Sequence, residues 1–294
     1  MKRVLHISDV HVEQGFGQVP WTTFLDKRAV GLTNLVLRRR RFYHDAPRVL
    51  ASLAEWATGE SVDVLLLTGD LTALGTEPEL RAARLALTPL LEAVPEVVIL
   101  PGNHDIYVKR DLAFENRFGD LLRTDLPELA TDGVWPQVRL FGDDLAIVAI
   151  ESARPNPEIR RSSGCVPQVQ LDALPAIFEH PALAGRVILV ATHYAPRRAS
   201  GRRDSLEHGL DNAEELLQVC GQVELGALLH GHIHRRFFLQ GPPLPLPLFG
   251  AGSSTHRGHE GGWVFDVTHG RADVRELSCN AGVFSLSDVR ATLA

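Results

Sequence analysis

Short apolar runs alternate along most of this chain with longer segments of helical period. The apolar runs are rich in Val, Ile and Leu and predict strands over residues 3–8, 62–69, 97–102, 145–150, 187–192 and 225–230. Most of these runs are continuously apolar, which is typical of strands that are buried on both faces. Helical period marks residues 46–57, 78–94 and 211–220, and Asp211 and Gly221 are suitable to begin and end the last of these helices. The alternation predicts an α/β fold.

The pattern changes toward the C-terminal end of the chain. Residues 237–254 carry four prolines between positions 242 and 247, which exclude a central hydrogen-bonded strand in this stretch and permit an edge strand or an extended segment. Residues 262–278 then predict an antiparallel hairpin that turns at His269 and Gly270. Because no repeat and no low-complexity linker divides the sequence, we interpret residues 1–294 as a single domain that ends in this hairpin region.

Composition and cysteine usage restrict the class of protein. Of the 294 residues, 45% are hydrophobic and 22% are charged, as in ordinary soluble globular proteins. No stretch approaches the roughly 18 consecutive apolar residues of a membrane span, and the N-terminal segment becomes polar by His6, too early for a secretion signal. Cys165, Cys220 and Cys279 lie far apart, so neither a disulfide framework nor a cysteine zinc site is indicated. We therefore expect a cytoplasmic protein.

Polar side chains follow five of the predicted strands at the points where the strands end. They are Asp9 and His11; Asp70; Asn103, His104 and Asp105; His193; and His230, His232 and His234. In an α/β sheet the carboxyl ends of neighbouring strands lie along one edge, where ligands bind. We therefore expect acids, an amide and several imidazoles to converge at this edge from distant parts of the sequence.

Such a cluster requires cations. Two carboxylates held together in a buried site repel each other, and burial raises the pKa of both by up to several units. A pair of divalent ions removes this conflict because the ions become the largest local charges. Carboxylate, amide and imidazole ligands without a thiolate favour Mn, Fe, Zn or Co over Mg and Ca, which prefer oxygen ligands only. The sequence thus predicts two divalent metal ions as cofactors.

Local spacing supports the same site. In Asp9-x-His11 and His232-x-His234 the two residues lie two apart, so an extended backbone would turn both side chains to one side. Glycines at three of the strand ends permit sharp turns of the backbone, and these are Gly69, Gly102 and Gly231.

Short motifs at these strand ends form a series, namely DVH at 9–11, GD at 69–70, GNHD at 102–105, TH at 192–193 and HGHIH at 230–234. Each motif alone is weak, but the five in this order resemble the calcineurin-like metallophosphoesterases over residues 4 to 253. The histidine in DVH resembles the bacterial phosphodiesterase branch of that family. The resemblance implies a four-layer α/β/β/α sandwich in which helices flank two mixed sheets.

The resemblance also implies roles for the clustered residues. One metal ion would be held by Asp9, His11, Asp70 and His234, and the second by Asp70, Asn103, His193 and His232. Asp70 would bridge the ions and His104 would face the phosphoryl group, which makes these two the implied catalytic residues. Many family members have HHPP where this chain has HYAP at 193–196, so Tyr194 changes the pocket wall and leaves the substrate subclass open.

The implied reaction is hydrolysis of a small phosphodiester, of the cyclic nucleotide or glycerophosphodiester class, by attack of a metal-bridging hydroxide. The paired ions would lower the pKa of a bridging water from about 15.7 towards 7 and would neutralise the phosphoryl oxygens. A cationic His104 would stabilise the developing charge or protonate the leaving alkoxide. The candidate substrate contacts are Asn103, His104, Tyr194, Arg202 and Arg203. The two arginines belong to a basic loop that either is solvated or grips an anionic substrate.

Residues 12–44 are the part of the chain least like the family. They combine an apolar segment with the basic block Arg38–Arg41. One interpretation is a lid helix packed on the core, with the arginines near its negative C-terminal end. The other is peripheral contact with an anionic membrane or a lipid tail, which would favour a lipid-linked nucleotide pyrophosphatase of the UDP-2,3-diacylglucosamine hydrolase type.

Two further alternatives stay open. A nuclease of the same fold is disfavoured by the formal net charge of −6, because general nucleic-acid binding requires a basic surface. A non-catalytic interaction scaffold usually lacks several ligands that are all present here. Elsewhere, His6 and His230 are expected to be buried supporting residues, and the glycine-rich segment 250–262 is interpreted as an ordinary loop. Surface positions are expected for His180, His208 and His269.

Overall fold

Two six-stranded sheets form the frame of the computed structural model, which describes residues 1–13, 19–34, 40–43, 45–109 and 111–294. The strands are β1 (Lys2–Ile7), β2 (Val64–Leu67), β3 (Glu96–Ile99), β4 (Gln137–Phe141), β5 (Leu145–Ala149), β6 (Val187–Thr192), β7 (Gly226–His230), β8 (Arg236–Leu239), β9 (Leu248–Ala251), β10 (Gly261–Thr268), β11 (Arg271–Asn280) and β12 (Val283–Leu293). The α-helices are α1 (Arg28–Asn34), α2 (Arg40–Tyr43), α3 (Ala46–Gly59), α4 (Glu77–Ala93), α5 (Ala113–Phe118), α6 (Gln168–Phe178) and α7 (Ala213–Cys220).

Both sheets are mixed. The first has the order β12-β11-β10-β1-β2-β3, and the second has the order β4-β5-β6-β7-β9-β8. In the first sheet β1, β2 and β3 run parallel, while β10, β11 and β12 continue antiparallel from β1. In the second sheet β5, β6, β7 and β9 run parallel between antiparallel edge strands. Parallel neighbours need crossover connections, and α3, α4, α6 and α7 lie in them.

The layers follow from which faces are apolar. Helices α3 and α4 pack on the outer face of the first sheet around Leu53, and α6 and α7 pack on the outer face of the second around Leu174. The inner faces pack against each other through fully buried side chains such as Leu66 and Leu189. Each of these side chains contributes roughly 1.5–3 kcal/mol by leaving water. The predicted four-layer α/β/β/α sandwich is thereby confirmed.

The six predicted strands are present, and β2, β5, β6 and β7 are buried along their whole length, as continuous apolar runs require. One predicted helix start is wrong. Helix α7 is preceded by Asn212, because the Asp211 carboxylate is engaged by the guanidinium groups of Arg154 and Arg161. The sequence pattern also missed β4, α6 and β12.

The proline-rich stretch separates two strands. Residues 242–247 lie in the connection between β8, an edge strand, and β9. Strand β9 begins directly after Pro247 and pairs with β7 on one side and β8 on the other. The prediction that this stretch contains no interior strand is correct for the prolines. It is wrong for residues 248–251, which form the interior strand β9. Strands β10 and β11 form the predicted antiparallel hairpin.

The fold positions a site at one edge. The carboxyl ends of β1, β2, β3, β6 and β7 lead into the polar motifs at 9–11, 69–70, 102–105, 193 and 231–234. Among the helices that the structure describes, none has both the length and the apolar character needed to cross a membrane.

Candidate metal centre

Left-handed backbone turns aim four of the predicted ligands. Asp9, His11, Asp70 and His232 have φ angles of 50°, 42°, 55° and 64°. This region costs a residue with a Cβ atom roughly 1–2 kcal/mol, and such residues cluster at functional sites. The expectation that an extended backbone turns Asp9 and His11 to one side is therefore wrong. Each side chain is directed by its own left-handed turn.

Three glycines allow the strand ends to approach one another. A Cβ atom on Gly69 would lie 2.4 Å from the backbone nitrogen of Gly102, and one on Gly102 would lie 2.2 Å from Asp70 Oδ1. A Cβ atom on Gly231 would lie 1.9 Å from Ser8 Oγ. Since no side chain is tolerated at these distances, the glycines let chain segments from both sheets meet.

Asp105 joins two of the turns that carry ligands. Its Oδ1 accepts hydrogen bonds from the backbone nitrogens of Leu71 at 2.9 Å and Thr72 at 3.0 Å, and its Oδ2 accepts one from Gly102 at 2.9 Å. Burial raises the pKa of Asp105, and the backbone donors oppose that rise. The last residue of GNHD therefore holds the turn after β2 against the turn after β3.

Asp9, His11, Asp70 and His234 form one donor group, in which one ligand atom of each lies within 4.8 Å of the others. His234 Nε2 is 3.2 Å from Asp9 Oδ1, and His11 Nε2 is 4.0 Å from Asp70 Oδ2. Asp9 Oδ1 is buried and has no partner of hydrogen-bond geometry among the described residues. Two carboxylates, two imidazoles and an orphaned buried oxygen fit a divalent cation.

A second donor group surrounds the other oxygen of Asp70. His193 Nε2 lies 3.5 Å from Asp70 Oδ1 and 3.0 Å from Asn103 Oδ1. His232 Nδ1 also lies 3.0 Å from Asn103 Oδ1. The structure thus brings all seven predicted ligands together in two groups that meet at Asp70. The first sheet supplies the carboxylates, the amide and one imidazole, and the second sheet supplies the other three imidazoles.

Charge is unbalanced in this cluster. Burial raises the pKa of Asp70 well above its ordinary value, and the charge of Asp9 adds to the rise. Burial acts in the same direction on Asp9, but the neighbouring imidazoles, His234 foremost, outweigh it and hold that pKa below its usual range. Burial and the charge of His193 lower the pKa of His232 to about 3, which leaves a neutral imidazole. A divalent cation would reverse the shift on Asp70, because it favours the carboxylate.

Backbone carbonyls orient three of the imidazoles. His11 Nδ1 and His193 Nδ1 lie 2.9 Å and 2.7 Å from carbonyl oxygens, and His232 Nε2 lies 2.8 Å from another. The carbonyls belong, in this order, to Thr72, Thr68 and His208. A carbonyl only accepts, so the nitrogen that faces it carries the proton. The opposite nitrogen of each ring keeps its lone pair for a ligand in the cluster.

His104 lies beside the cluster. Its backbone nitrogen donates to Asp70 Oδ1 at 2.7 Å, and its Nδ1 donates to the carbonyl of Ala73. Its ring stacks on Tyr107 with the centroids 5.3 Å apart. These contacts fix the ring at the wall of a cavity of about 460 Å³ that opens over the donor groups.

Basic residues line the cavity next to the donor groups. They are Lys27, Arg160 and Arg161, and Lys27 Nζ donates to the carbonyl oxygen of Arg161. Arg161 is 3.2 Å from the Asp211 carboxylate, whereas Arg160 makes no hydrogen bond or ion pair with any residue that the structure describes. Arg160 is therefore a cation available to an anionic ligand.

Tyr194 lies behind the cluster instead of in the cavity. It is fully buried, and its hydroxyl donates to the carbonyl of Ser162 at 2.7 Å. Its ring centroid is 4.2 Å from that of His232. Burial raises the pKa of the Tyr194 phenol well above its ordinary value, so it stays protonated. The departure from HHPP thus supports a predicted ligand from behind.

Arg202 and Arg203 do not line the cavity formed by the described residues. Arg203 donates to the carbonyl of Asp211 at 2.9 Å and lies 3.7 Å from the Glu214 carboxylate. The basic residues at the cavity are instead Lys27, Arg160 and Arg161, which sequence reasoning missed. The sequence has Arg-Arg at 160–161 and again at 202–203, and no local pattern shows which pair lies at the cavity.

The segment 12–44 has described and undescribed parts. Lys27 and Gly31 line the cavity, while Trp21 and Leu25 are 73% and 71% exposed. Leu35 to Arg39 lie outside the described residues, as do the side chains of Arg40 and Arg41, so the apolar run and basic block remain predictions.

The glycine-rich segment 250–262 is more than an ordinary loop. Ser253 Oγ donates to the carbonyl of Asp9 at 2.6 Å, and Thr255 Oγ1 donates to that of Val10 at 2.6 Å. These bonds hold the backbone of the DVH motif. The glycine-rich composition suggested an ordinary loop. The hydrogen bonds to Asp9 and Val10 join residues 244 and 245 positions apart, so no local sequence pattern reveals them.

Four of the other histidines follow expectation, and His180 does not. His6 is buried with Nε2 3.0 Å from Thr68 Oγ1, and burial lowers its pKa to about 3. His230 is buried, and burial lowers its pKa to about 4. His208 and His269 are exposed, and His180 is half-buried.

Comparison of the whole chain with solved structures agrees with the fold. Similar solved structures include a dimetal phosphatase from Danio rerio, with a TM-score of 0.64 at 12% identity over 94% of this chain and 95% of that one. The protein TT1561 of Thermus thermophilus has a TM-score of 0.50 at 12% identity over 98% of this chain and 99% of that one. Purple acid phosphatase PPD1 from yellow lupin (Lupinus luteus) has a TM-score of 0.55 at 9% identity over 99% of this chain and 53% of that one. At these identities the likeness shows the fold alone.

Sequence comparison identifies the family. No curated protein matches the chain significantly. The family described as Calcineurin-like phosphoesterase, however, matches residues 2–236, which include all five motifs. The chain therefore belongs to the calcineurin-like phosphoesterase family.

Proposed function

We propose that this chain hydrolyses phosphate esters with two divalent metal ions and that phosphodiesters are its substrate class. The position of Asp70 carries the proposal. Its Oδ2 is 4.0 Å from His11 Nε2, and its Oδ1 is 3.5 Å from His193 Nε2. A carboxylate that presents one oxygen to each donor group is suited to bridge two cations.

The two donor groups divide the ligands between the ions. Asp9, His11, Asp70 and His234 would hold one ion, and Asp70, Asn103, His193 and His232 would hold the other. When bound, the ions would neutralise phosphoryl oxygens and lower the pKa of a coordinated water. The mixture of carboxylate, amide and imidazole favours Mn, Fe, Zn or Co.

His104 is proposed as the acid for the leaving group. Because its Nδ1 donates to the Ala73 carbonyl, proton exchange with a substrate falls to Nε2. Transfer of a proton from Nε2 to the leaving alkoxide would raise the rate roughly 10²–10⁴-fold. Stacking on Tyr107 would hold the ring for that transfer.

The cavity over the donor groups supports an anionic ester with a substituent. Its volume of about 460 Å³ leaves room for more than a phosphate group. Arg160, which pairs with no residue that the structure describes, would bind a non-bridging oxygen.

A second candidate is a lipid-linked nucleotide pyrophosphatase. The exposed Trp21 and Leu25 favour it, because they belong to the same segment as Lys27 at the cavity wall. Its activity would depend on detergent or on vesicles, and neutral replacements at Arg38–Arg41 would reduce binding to anionic vesicles.

A substrate panel tests the proposal. The full chain would be stripped of metal, reloaded with Mn, Fe, Zn or Co, and assayed on bis(p-nitrophenyl) phosphate, p-nitrophenyl phosphate, cyclic nucleotides, glycerophosphodiesters and a UDP-acylated sugar. We expect the diesters to be turned over fastest. A preference for monoesters would contradict the substrate class, and metal-loaded protein without any turnover would favour the interaction scaffold.

A further inference from the structure

A contact from the segment 12–44 reaches the donor group that contains His234. Tyr43 is 2% exposed, and its Oη lies 3.1 Å from His234 Nδ1. Its ring also meets the ring of His11 edge to face, with the centroids 4.9 Å apart. Tyr43 therefore contacts both imidazoles of this donor group, although it is 191 positions from His234 in sequence.

The phenol oxygen of Tyr43 is placed to accept a proton from His234. Ser253 Oγ lies 2.6 Å from the carbonyl oxygen of Asp9 and 3.4 Å from Tyr43 Oη. The carbonyl only accepts, so the single hydroxyl proton of Ser253 is donated to it. Ser253 Oγ can then accept from the phenol, and Tyr43 Oη can accept from His234 Nδ1.

A metal ion bound to His234 would make use of this contact. His234 Nε2 lies 3.2 Å from Asp9 Oδ1, on the side of the donor group. When Nε2 binds a metal ion, the ring proton is on Nδ1, and a partner at that nitrogen orients the ring. For His11, His193 and His232 a backbone carbonyl does the same. Within the described part of the chain, His234 is the ligand for which a side chain takes this role.

We infer that Tyr43 is a positioning residue that accepts the Nδ1 proton of His234 and thereby fixes the orientation of the ring. The inference rests on the proposed function, since it assumes that His234 binds a metal ion. It also joins α2 to the metal centre, because Tyr43 belongs to that helix. The loop at 253–259 completes the contact, as the rings of Phe42 and His256 stack with their centroids 4.6 Å apart.

Cobalt binding tests the inference with a readout other than activity. Tyr43→Phe keeps the ring and removes the hydroxyl. We expect one of the two Co(II) ions to bind about 10-fold more weakly or worse, with a changed visible absorption spectrum, while the other binds as before. Thr88→Val is the control, because it also removes a hydroxyl hydrogen bond, the one that Thr88 Oγ1 donates to the carbonyl of Arg84 within α4. Its Co(II) affinities are expected to stay at the wild-type values.

The Nδ1 proton of His234 is the second readout. In the full chain loaded with Zn(II), long-range ¹H–¹⁵N correlation spectra report this proton and its exchange with solvent. We expect exchange at least about 10-fold faster in Tyr43→Phe than in the wild type, because the oxygen that accepts the proton is gone. If circular dichroism shows that this variant does not fold, Tyr43→Leu also removes the acceptor and is expected to have the same effects.

The outcomes separate the two claims. Wild-type protein that binds no cobalt would overturn the proposed function. Wild-type protein that binds two ions, together with a Tyr43→Phe variant of unchanged affinities, spectrum and proton exchange, would overturn the role of Tyr43 alone. Unchanged affinities and proton exchange in Tyr43→Leu, tested in place of an unfolded Tyr43→Phe, would do the same.

Discussion

Asp70 connects the two donor groups through its two carboxylate oxygens. Asp70→Asn is expected to lower metal content and to reduce hydrolysis of bis(p-nitrophenyl) phosphate by about 1,000-fold or more, because several kcal/mol of transition-state stabilisation depend on the ions. Metal analysis and steady-state kinetics measure both effects. Asp204→Asn is the matched control, since Asp204 also lines the cavity but lies 3.6 Å from Arg198. A fully active Asp70→Asn variant with two ions would remove the basis of the proposed function.

His104 separates acid catalysis from metal binding. His104→Ala is expected to keep both ions and to lose roughly 10²–10⁴ in kcat, because only the proton donor is removed. The measurement is kcat on a diester with an alkoxide leaving group, together with metal content. Loss of metal along with activity would instead place His104 among the ligands.

Gly102 tests the close approach of the strand ends. In Gly102→Ala the new methyl group would meet Asp70 Oδ1 at 2.2 Å, so we expect weaker metal binding and a loss of more than about 1 kcal/mol in the free energy of unfolding. Gly59→Ala is the control, because nothing lies within 4 Å of its Cβ position and the residue ends a helix. Urea unfolding measures the free energy of unfolding of both variants. Equal values for Gly102→Ala and Gly59→Ala would contradict the steric argument.

The side chains that converge in the two donor groups were predictable residue by residue, because each sits in a short motif directly after a strand. Tyr43 and Arg160 were not, because their roles depend on contacts between segments that no local pattern marks. Arg160 has the same composition signal as Arg202, and only the folded chain shows which of them faces the cavity. The angles that aim the ligands also escaped prediction, since spacing alone suggests an extended backbone where the chain makes left-handed turns.

Among the elements, buried parallel strands were the easiest to predict. Strands β2, β5, β6 and β7 are wholly buried, so their sequences are continuously apolar. Strand β12 is mostly exposed at the edge of its sheet and carries polar residues on both faces. Helix α6 contains Pro175, which reads as a helix breaker in the sequence. Pairing and packing stabilise both elements in ways that propensity does not indicate.

The first turn of α4 carries a buried carboxyl group that makes stability depend on pH. Glu79 forms a capping box with Thr76, and burial raises its pKa to about 7 from an ordinary value of 4.5. A raised folded-state pKa means that its stabilisation is complete below pH 4.5 and is lost as the pH rises through 7.

Glu79→Gln is therefore expected to gain stability relative to the wild type between pH 5 and pH 8.5, by up to roughly 3 kcal/mol. Urea unfolding across this range measures the difference. Glu77→Gln, on the exposed side of the same turn, is the control and should show no such gain. A pH-independent difference for Glu79→Gln would show that the carboxyl group stays ionised in the folded protein.

At the scale of the molecule, the ions should contribute to the stability of the fold. At a free metal concentration of about 100 times Kd, binding stabilises the native state by about 2.7 kcal/mol per site. We expect Mn(II) or Co(II) to raise Tm by roughly 5–10 °C, as measured by calorimetry with and without a chelator. The rise should be largely absent in Asp70→Asn, and equal shifts in the two proteins would indicate binding elsewhere.

The division of the donor atoms between the two sheets has a consequence for assembly. Each donor group draws side chains from both sheets, so neither sheet alone supplies the full set for either of the proposed ions. Complete binding of the ions is therefore expected only after the two sheets have docked in register. A molecule whose sheets docked out of register would keep its secondary structure but lack both complete sites.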